Sequence, residues 1–117
     1  MAVELLYLEL DKGKSPYRKW ESELDSSARA IVWTRINRVR LGNFGDCEPL
    51  KGKGAIGLYE LRIHTGPGYR IYFGKIKDAV VIILCAGDKG SQALNIKKAK
   101  EYWQLYKNSF KKGVKNG

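Results

Sequence analysis

The sequence predicts an α+β fold, a small and mostly antiparallel sheet built from elements in the order β-α-α-β-β-β-α. Three observations carry this expectation. The apolar residues recur with a helical period between residues 16 and 41, and the period changes to two at Leu58. Three apolar runs then follow one another with only short polar turns between them, the pattern of a meander with helices packed on it. At 117 residues the chain can bury one core but not two independent ones, so 1–117 is expected to be a single domain.

The first run, Val3 to Leu10, is bounded by Asp11-Lys12-Gly13-Lys14 and reads as a strand that leaves into a turn. Ser15-Pro16 supplies an N-cap and a proline at the first helical position, opening a short helix through Leu24. Asp25-Ser26-Ser27 can cap a second helix. Leu24, Ala28, Ile31, Val32, Ile36 and Val39 share one side of it, and Arg29, Asn37 and Arg40 face away. Gly42 to Gly45 end that helix. The stretch Asp46 to Gly57 contains Pro49, Gly52, Gly54 and Gly57 with Lys51 and Lys53, and is expected to be a mobile basic loop.

From Leu58, the residues Tyr59, Leu61 and Ile63 alternate with Glu60, Arg62 and His64. After the turn Thr65-Gly66-Pro67-Gly68 the alternation resumes with Tyr69, Ile71 and Phe73 against Arg70, Tyr72 and Gly74. If the apolar set faces the core, then Arg62, His64, Arg70 and Tyr72 share the opposite, polar face. Lys75 to Asp78 makes the next turn. Ala79 to Ala86 is an almost continuous apolar run, as expected of a central strand covered on both faces. Gly87-Asp88-Lys89-Gly90 closes it. Ile96, Ala99, Trp103, Tyr106 and Phe110 then mark a final helix, with Lys97, Lys98, Lys100 and Lys107 on its other side and a frayed end from about 111 to 117.

The charge of +10 is unevenly placed. Residues 1–28 carry 4 basic and 6 acidic side chains, residues 29–88 carry 10 and 5, and residues 89–117 carry 8 and 1. Such a field attracts polyanions, either nucleic acid or an acidic protein. Cys47 and Cys85 have no CxxC partner, and His64 cannot complete a zinc site with them, so unpaired thiols in a reducing compartment are expected, with no metal and no cofactor. No GxxxxGK[ST] is present, which disfavours nucleotide binding. The start lacks the pattern of a signal peptide and the longest apolar run is far below the roughly 20 residues that span a bilayer, so a cytoplasmic protein with no membrane contact is expected.

Taken in order, Tyr59-Glu60-Leu61-Arg62, Gly66-Pro67-Gly68-Tyr69-Arg70-Ile71-Tyr72-Phe73, and Gly87-Asp88-Lys89 with Ser91-Gln92 closely resemble the signature of the HigB-like branch of the RelE/ParE toxins, the addiction-module killer proteins. The resemblance runs from about residue 3 to 106. It implies a RelE-like fold: a curved antiparallel sheet with two helices on one side and a C-terminal helix. It also implies the toxin of a type II toxin–antitoxin pair, acting as a ribosome-dependent mRNA endoribonuclease that inhibits translation. The partners implied are a helix-turn-helix antitoxin of the HigA-like kind, mRNA on the ribosome, and operator DNA only through the antitoxin.

RNA cleavage of this sort needs no metal. A base takes the proton of the 2′-hydroxyl, an acid protonates the leaving 5′-oxygen, and cations stabilise the charge between. On the resemblance, Arg70 falls on the strand arginine that contacts the scissile phosphate. Lys89 falls where relatives place a basic residue, suited to stabilising the transition state or protonating the leaving group. Lys51 and Lys53 match the loop that supplies a general base. Arg62 and Gln92 belong at the rim, Tyr72 could stack on an unpaired base, Asp88 could orient Lys89 or Arg62, and His64 stands at the edge of the hairpin turn. Asn95, no acid or base, occupies the place where relatives carry tyrosine or histidine. Two alternatives stay open on the same fold: a ParE-like inhibitor of DNA gyrase, and a catalytically inactive module that binds an antitoxin and regulates transcription. Arg62 with Glu60 could also be only a surface pair.

Overall fold

The computed structural model describes residues 2–116, with side chains as far as residue 109. Its elements are β1 (Glu4–Tyr7), α1 (Pro16–Ser22), α2 (Ser26–Arg40), β2 (Cys47–Pro49), β3 (Leu58–Ile63), β4 (Tyr69–Ile76), β5 (Val80–Asp88) and α3 (Gln92–Asn116). The expected frayed end at 111–117 lies outside the residues whose side chains are described. Local signals set the helix starts: the Ser15 side chain accepts from the Arg18 amide with Pro16 at the first helical position, and Asp25 accepts from the Ala28 amide.

The strands lie side by side in the order β1-β5-β4-β3-β2, with β1 parallel to β5 and every other pair antiparallel. Helices α1 and α2 cover one face, where Tyr17, Val32, Ile36 and Val39 meet Leu61, Ile71, Phe73, Val81 and Ile83. Helix α3 covers the other, where Ala99 and Trp103 meet Leu58, Tyr72, Ile82, Leu84 and Cys85. The apolar run of β5 is thus buried on both sides, as its composition predicts.

Strand β2 corrects the expectation of a mobile loop from Asp46 to Gly57. Cys47 and Pro49 pair with Leu61 and Tyr59. Three residues are too few to show an alternation, and Pro49 reads as a breaker, yet at the edge of a sheet its missing N–H can face away from the ladder. The rest of the segment is tied down too. The Leu50 amide donates to the Leu58 carbonyl, and the Trp103 indole N–H donates to the Ile56 carbonyl at 2.8 Å.

Between β4 and β5 the register slips, with Tyr72 opposite Cys85 but Phe73 opposite Ile83. Leu84 is the extra residue of a bulge, so Leu84 and Cys85 both pack toward α3 before Ala86 returns to the other face. The shift turns Gly87 toward α3. A Cβ on Gly87 would collide with Asn95 Nδ2, and one on Gly74 would collide with the Trp103 ring. These two glycines let α3 approach the sheet closely.

Candidate functional site

The alternation in β3 and β4 places Glu60, Arg62, Arg70 and Tyr72 on one face, as the pattern predicts, but that face is roofed by the first turns of α3 rather than left open. Tyr72 is therefore fully buried. Its hydroxyl donates to Glu60 Oε2 at 3.0 Å, and its ring packs in the α3-side core. This corrects the expectation that Tyr72 stacks on a base, since neither ring face is open. Burial, with the Glu60 carboxylate adding, pushes its phenol well above the usual range.

Glu60 is the centre that sequence reasoning missed. Only 2% exposed, its carboxylate accepts from Tyr72, from Gln92 Nε2 at 2.8 Å and from Arg62 Nε at 3.0 Å. Arg62 continues outward, donating from Nη2 to Glu48 Oε2 at 3.1 Å. The Glu60 bond, then Glu48, hold the Arg62 guanidinium more firmly protonated than usual.

Arg70 stands directly across from Arg62, and like charges so placed repel unless a carboxylate or a bound anion intervenes. Its side chain is 8% exposed and its Nε lies 4.0 Å from Glu60 Oε1. That Nε is buried with no hydrogen-bond partner among the described residues, and Nη1 reaches only the Tyr69 carbonyl at 3.3 Å. A buried guanidinium N–H without an acceptor is costly, and Glu60 at 4.0 Å offsets that cost only through its charge.

Lys89 follows the end of β5 and is tied by its backbone to the turn that leads into Arg70. Its amide donates to the Gly68 carbonyl at 2.8 Å, and a Cβ built on Gly68 would lie 3.6 Å from Lys89 Cβ and 3.9 Å from Arg70 Nη1. Gly68, with φ of +81°, thus lets the turn pass between the Arg70 guanidinium and the base of the Lys89 side chain. Gln92 joins them through Glu60.

Other residues go elsewhere. The Asp88 carboxylate caps the turn after β5, accepting from the Ser91 amide at 3.1 Å, and does not orient Lys89 or Arg62. Lys51 and Lys53 are exposed, with no hydrogen bond or ion pair to Arg70, Lys89 or Glu60 among the described residues; Gly52, between them, lies against Lys100 of α3. His64 lies past the end of β3, at the edge of the hairpin turn, and bonds to Asp46 in a groove lined by Arg35, Arg38 and Arg62, so of the polar set it was grouped with it meets Arg62 there and not Arg70 or Tyr72. That bond holds the Asp46 carboxyl below its usual range. Asn95 donates to Ser91 Oγ at 2.7 Å. Among the described residues, no group of three or more His, Cys, Asp or Glu side chains could hold a metal ion, both cysteines are free, and no helix is long and apolar enough to cross a membrane.

A family model described as Phage derived protein Gp49-like (DUF891) matches residues 19–107. An uncharacterized protein of Haemophilus influenzae is 41% identical over 85 residues, covering 72% of this chain and 82% of its own. A chain from the crystal structure of the RelBE2 toxin–antitoxin complex of Mycobacterium tuberculosis superposes with a TM-score of 0.59 at 16% identity, over 76% of this chain and 100% of that one. That last likeness is one of fold, and it is the fold expected from the strand motifs.

Proposed function

Because the chain belongs to the phage-derived Gp49-like family and shares its fold with a chain of a toxin–antitoxin complex, we propose that it is the toxin of a type II toxin–antitoxin pair, cleaving mRNA on the ribosome. The observation that carries this reading is Arg70, nine-tenths buried, with an Nε that finds no acceptor among the described residues and with the Lys89 backbone tied to the turn that leads into it. A phosphate is the ligand that suits a planar fork of N–H donors, and a lysine on the adjoining turn could add its ammonium to the same anion.

In the proposed reaction Arg70 holds the scissile phosphate. The 2′-oxygen loses its proton to a base, bonds to phosphorus, and the bond to the 5′-oxygen breaks as that oxygen gains a proton, leaving a 2′,3′-cyclic phosphate. Lys89 stabilises the charge that develops on the phosphoryl oxygens or delivers the proton to the 5′-oxygen. Lys51 and Lys53 stand in the loop from which the base would come. Arg62 and Gln92, both bonded to Glu60, form the wall against which the substrate lies. The partners that go with this reading are mRNA in the ribosome and a helix-turn-helix antitoxin, through which operator DNA is contacted.

Inducible expression of wild type and of Arg70→Ala, with growth and primer extension on a translated reporter followed together, tests it. The reading expects growth arrest with new in-frame mRNA ends for wild type and neither for the variant. Arrest with an intact message would remove the nuclease and favour gyrase as target. Continued growth would leave an antitoxin-binding module.

A further inference from the structure

On the flank of α3 that carries Asn95, Lys98 and Tyr102, a cleft of 910 Å³ opens between that helix, the start of α1 and the turn before it. This volume lies within the ~300–1,000 Å³ of ligand sites. Its floor is Cys85 and Ala86 of β5. There no strand among the described residues covers the outer side of β5, because β1 pairs with it only from Val80 to Ile83 and the Leu8 amide makes the next bond, to the Ile83 carbonyl.

Four cations from three parts of the chain converge on this cleft: Lys14, Arg18, Lys19 and Lys98. The local sequence makes the convergence notable. Residues 1–28 carry 4 basic and 6 acidic side chains, yet three of those bases line the cleft and only one of those acids, Glu23, does. Arg18 is held in place by the Tyr7 ring, 4.1 Å from its guanidinium carbon. Trp20 and Tyr102 add aromatic surface.

Gathering like charges in one concavity is unfavourable unless a polyanion neutralises them. Cations interleaved with aromatic rings along a groove suit single-stranded nucleic acid, whose backbone takes the charge and whose bases take the rings. The cleft also adjoins the Arg70 site. Asn95 lines it, and Asn95 Nδ2 lies against Gly87, the residue paired with Arg70 across β4 and β5. We propose that this cleft is a second nucleic-acid site, holding the single-stranded RNA that continues from a phosphate bound at Arg70. It rests on the nuclease reading for the identity of its ligand.

The test is fluorescence anisotropy of the purified full-length chain with a short labelled oligouridylate over a range of salt concentrations. The double reversal Arg18→Glu/Lys98→Glu is compared with Lys77→Glu/Lys97→Glu, an equal charge change at exposed positions outside the cleft. The cleft pair should lose about tenfold or more in low-salt affinity and flatten the log–log salt slope by about 1.4, at about 0.7 per phosphate contact. The control pair should lose about twofold, through the long-range field alone. Equal losses and equal slopes for the two pairs overturn the inference, as does a wild type that binds no RNA. An oligoglutamate peptide that competes as well as RNA also overturns it, in favour of an acidic protein partner. Arg70→Ala separates the two claims: if it weakens binding while the cleft pair behaves as the control, the cleft fails and the Arg70 reading stands. If only the cleft pair matters, the reverse holds.

Discussion

Glu60 accepts hydrogen bonds from Tyr72, Gln92 and Arg62 while Arg70 Nε stands 4.0 Å away with none among the described residues. The carboxylate therefore serves as the fixed negative point around which two opposed arginines are tolerated. Removing one partner of a buried ion pair typically costs about 3–5 kcal/mol. Glu60→Ala should accordingly lower stability by about 3 kcal/mol in urea denaturation, and the nearly isosteric Glu60→Gln by less, because its amide oxygen still accepts. A loss for Glu60→Ala below about 1 kcal/mol, the worth of one ordinary hydrogen bond, would contradict a central role. Sequence alternation placed Arg62, Arg70 and Tyr72 on one face, as found, because period two is a local property. It could not show that this face is roofed, so Glu60 read as part of a surface pair and Tyr72 as an open stacking platform. His64 shares the parity of Arg62, but β3 ends at Ile63 and alternation has no hold beyond the strand.

At the scale of elements, the helix caps and the strand-turn-strand order were legible because each depends on a few adjacent residues. Strand β2 was not, since Cys47–Pro49 becomes a strand only by pairing with β3. The bulge at Leu84 was hidden for a related reason: an unbroken apolar run carries no phase. Yet that bulge sets where Gly87 points and hence where α3 lands. Gly74 and Gly87 are the contacts on which the α3 layer depends, and overpacking of a close contact costs about 1–3 kcal/mol. Gly74→Ala would drive its methyl into the Trp103 ring. It should lower the unfolding free energy by about 1–3 kcal/mol, moving the urea midpoint down, and weaken the Trp103 bond to the Ile56 carbonyl, visible as altered indole fluorescence. An unchanged midpoint would mean that α3 can move away without loss.

At the scale of the whole molecule, three ionisable groups are buried in their neutral forms on both sides of the sheet. Burial pushes the Cys85 thiol up to about 12. The Tyr17 phenol is likewise raised, by burial and then by its bond to Glu21, as is that of Tyr72. In the unfolded chain these protons leave at lower pH, from about 8.5 for cysteine and about 10 for tyrosine. The stability they confer is fully present below about pH 8.5 and is lost as pH rises toward the folded values. Urea midpoints should therefore fall through the alkaline range, and Cys85→Ala should flatten the first part of the fall. A wild-type midpoint constant across that range would contradict the burial described. The net charge of +10 and its concentration after residue 29 were legible from composition, but the convergence of Lys14, Arg18, Lys19 and Lys98 on one cleft was not, since the chain brings these residues together from distant elements. The central claim, cleavage anchored at Arg70, is tested most directly in a reconstituted translation reaction with wild type or Arg70→Ala, run with and without ribosomes. Cuts within codons of the translated message, made by wild type only and only when ribosomes are present, are the predicted result. An intact message with wild type, or equal cutting by Arg70→Ala, would contradict it.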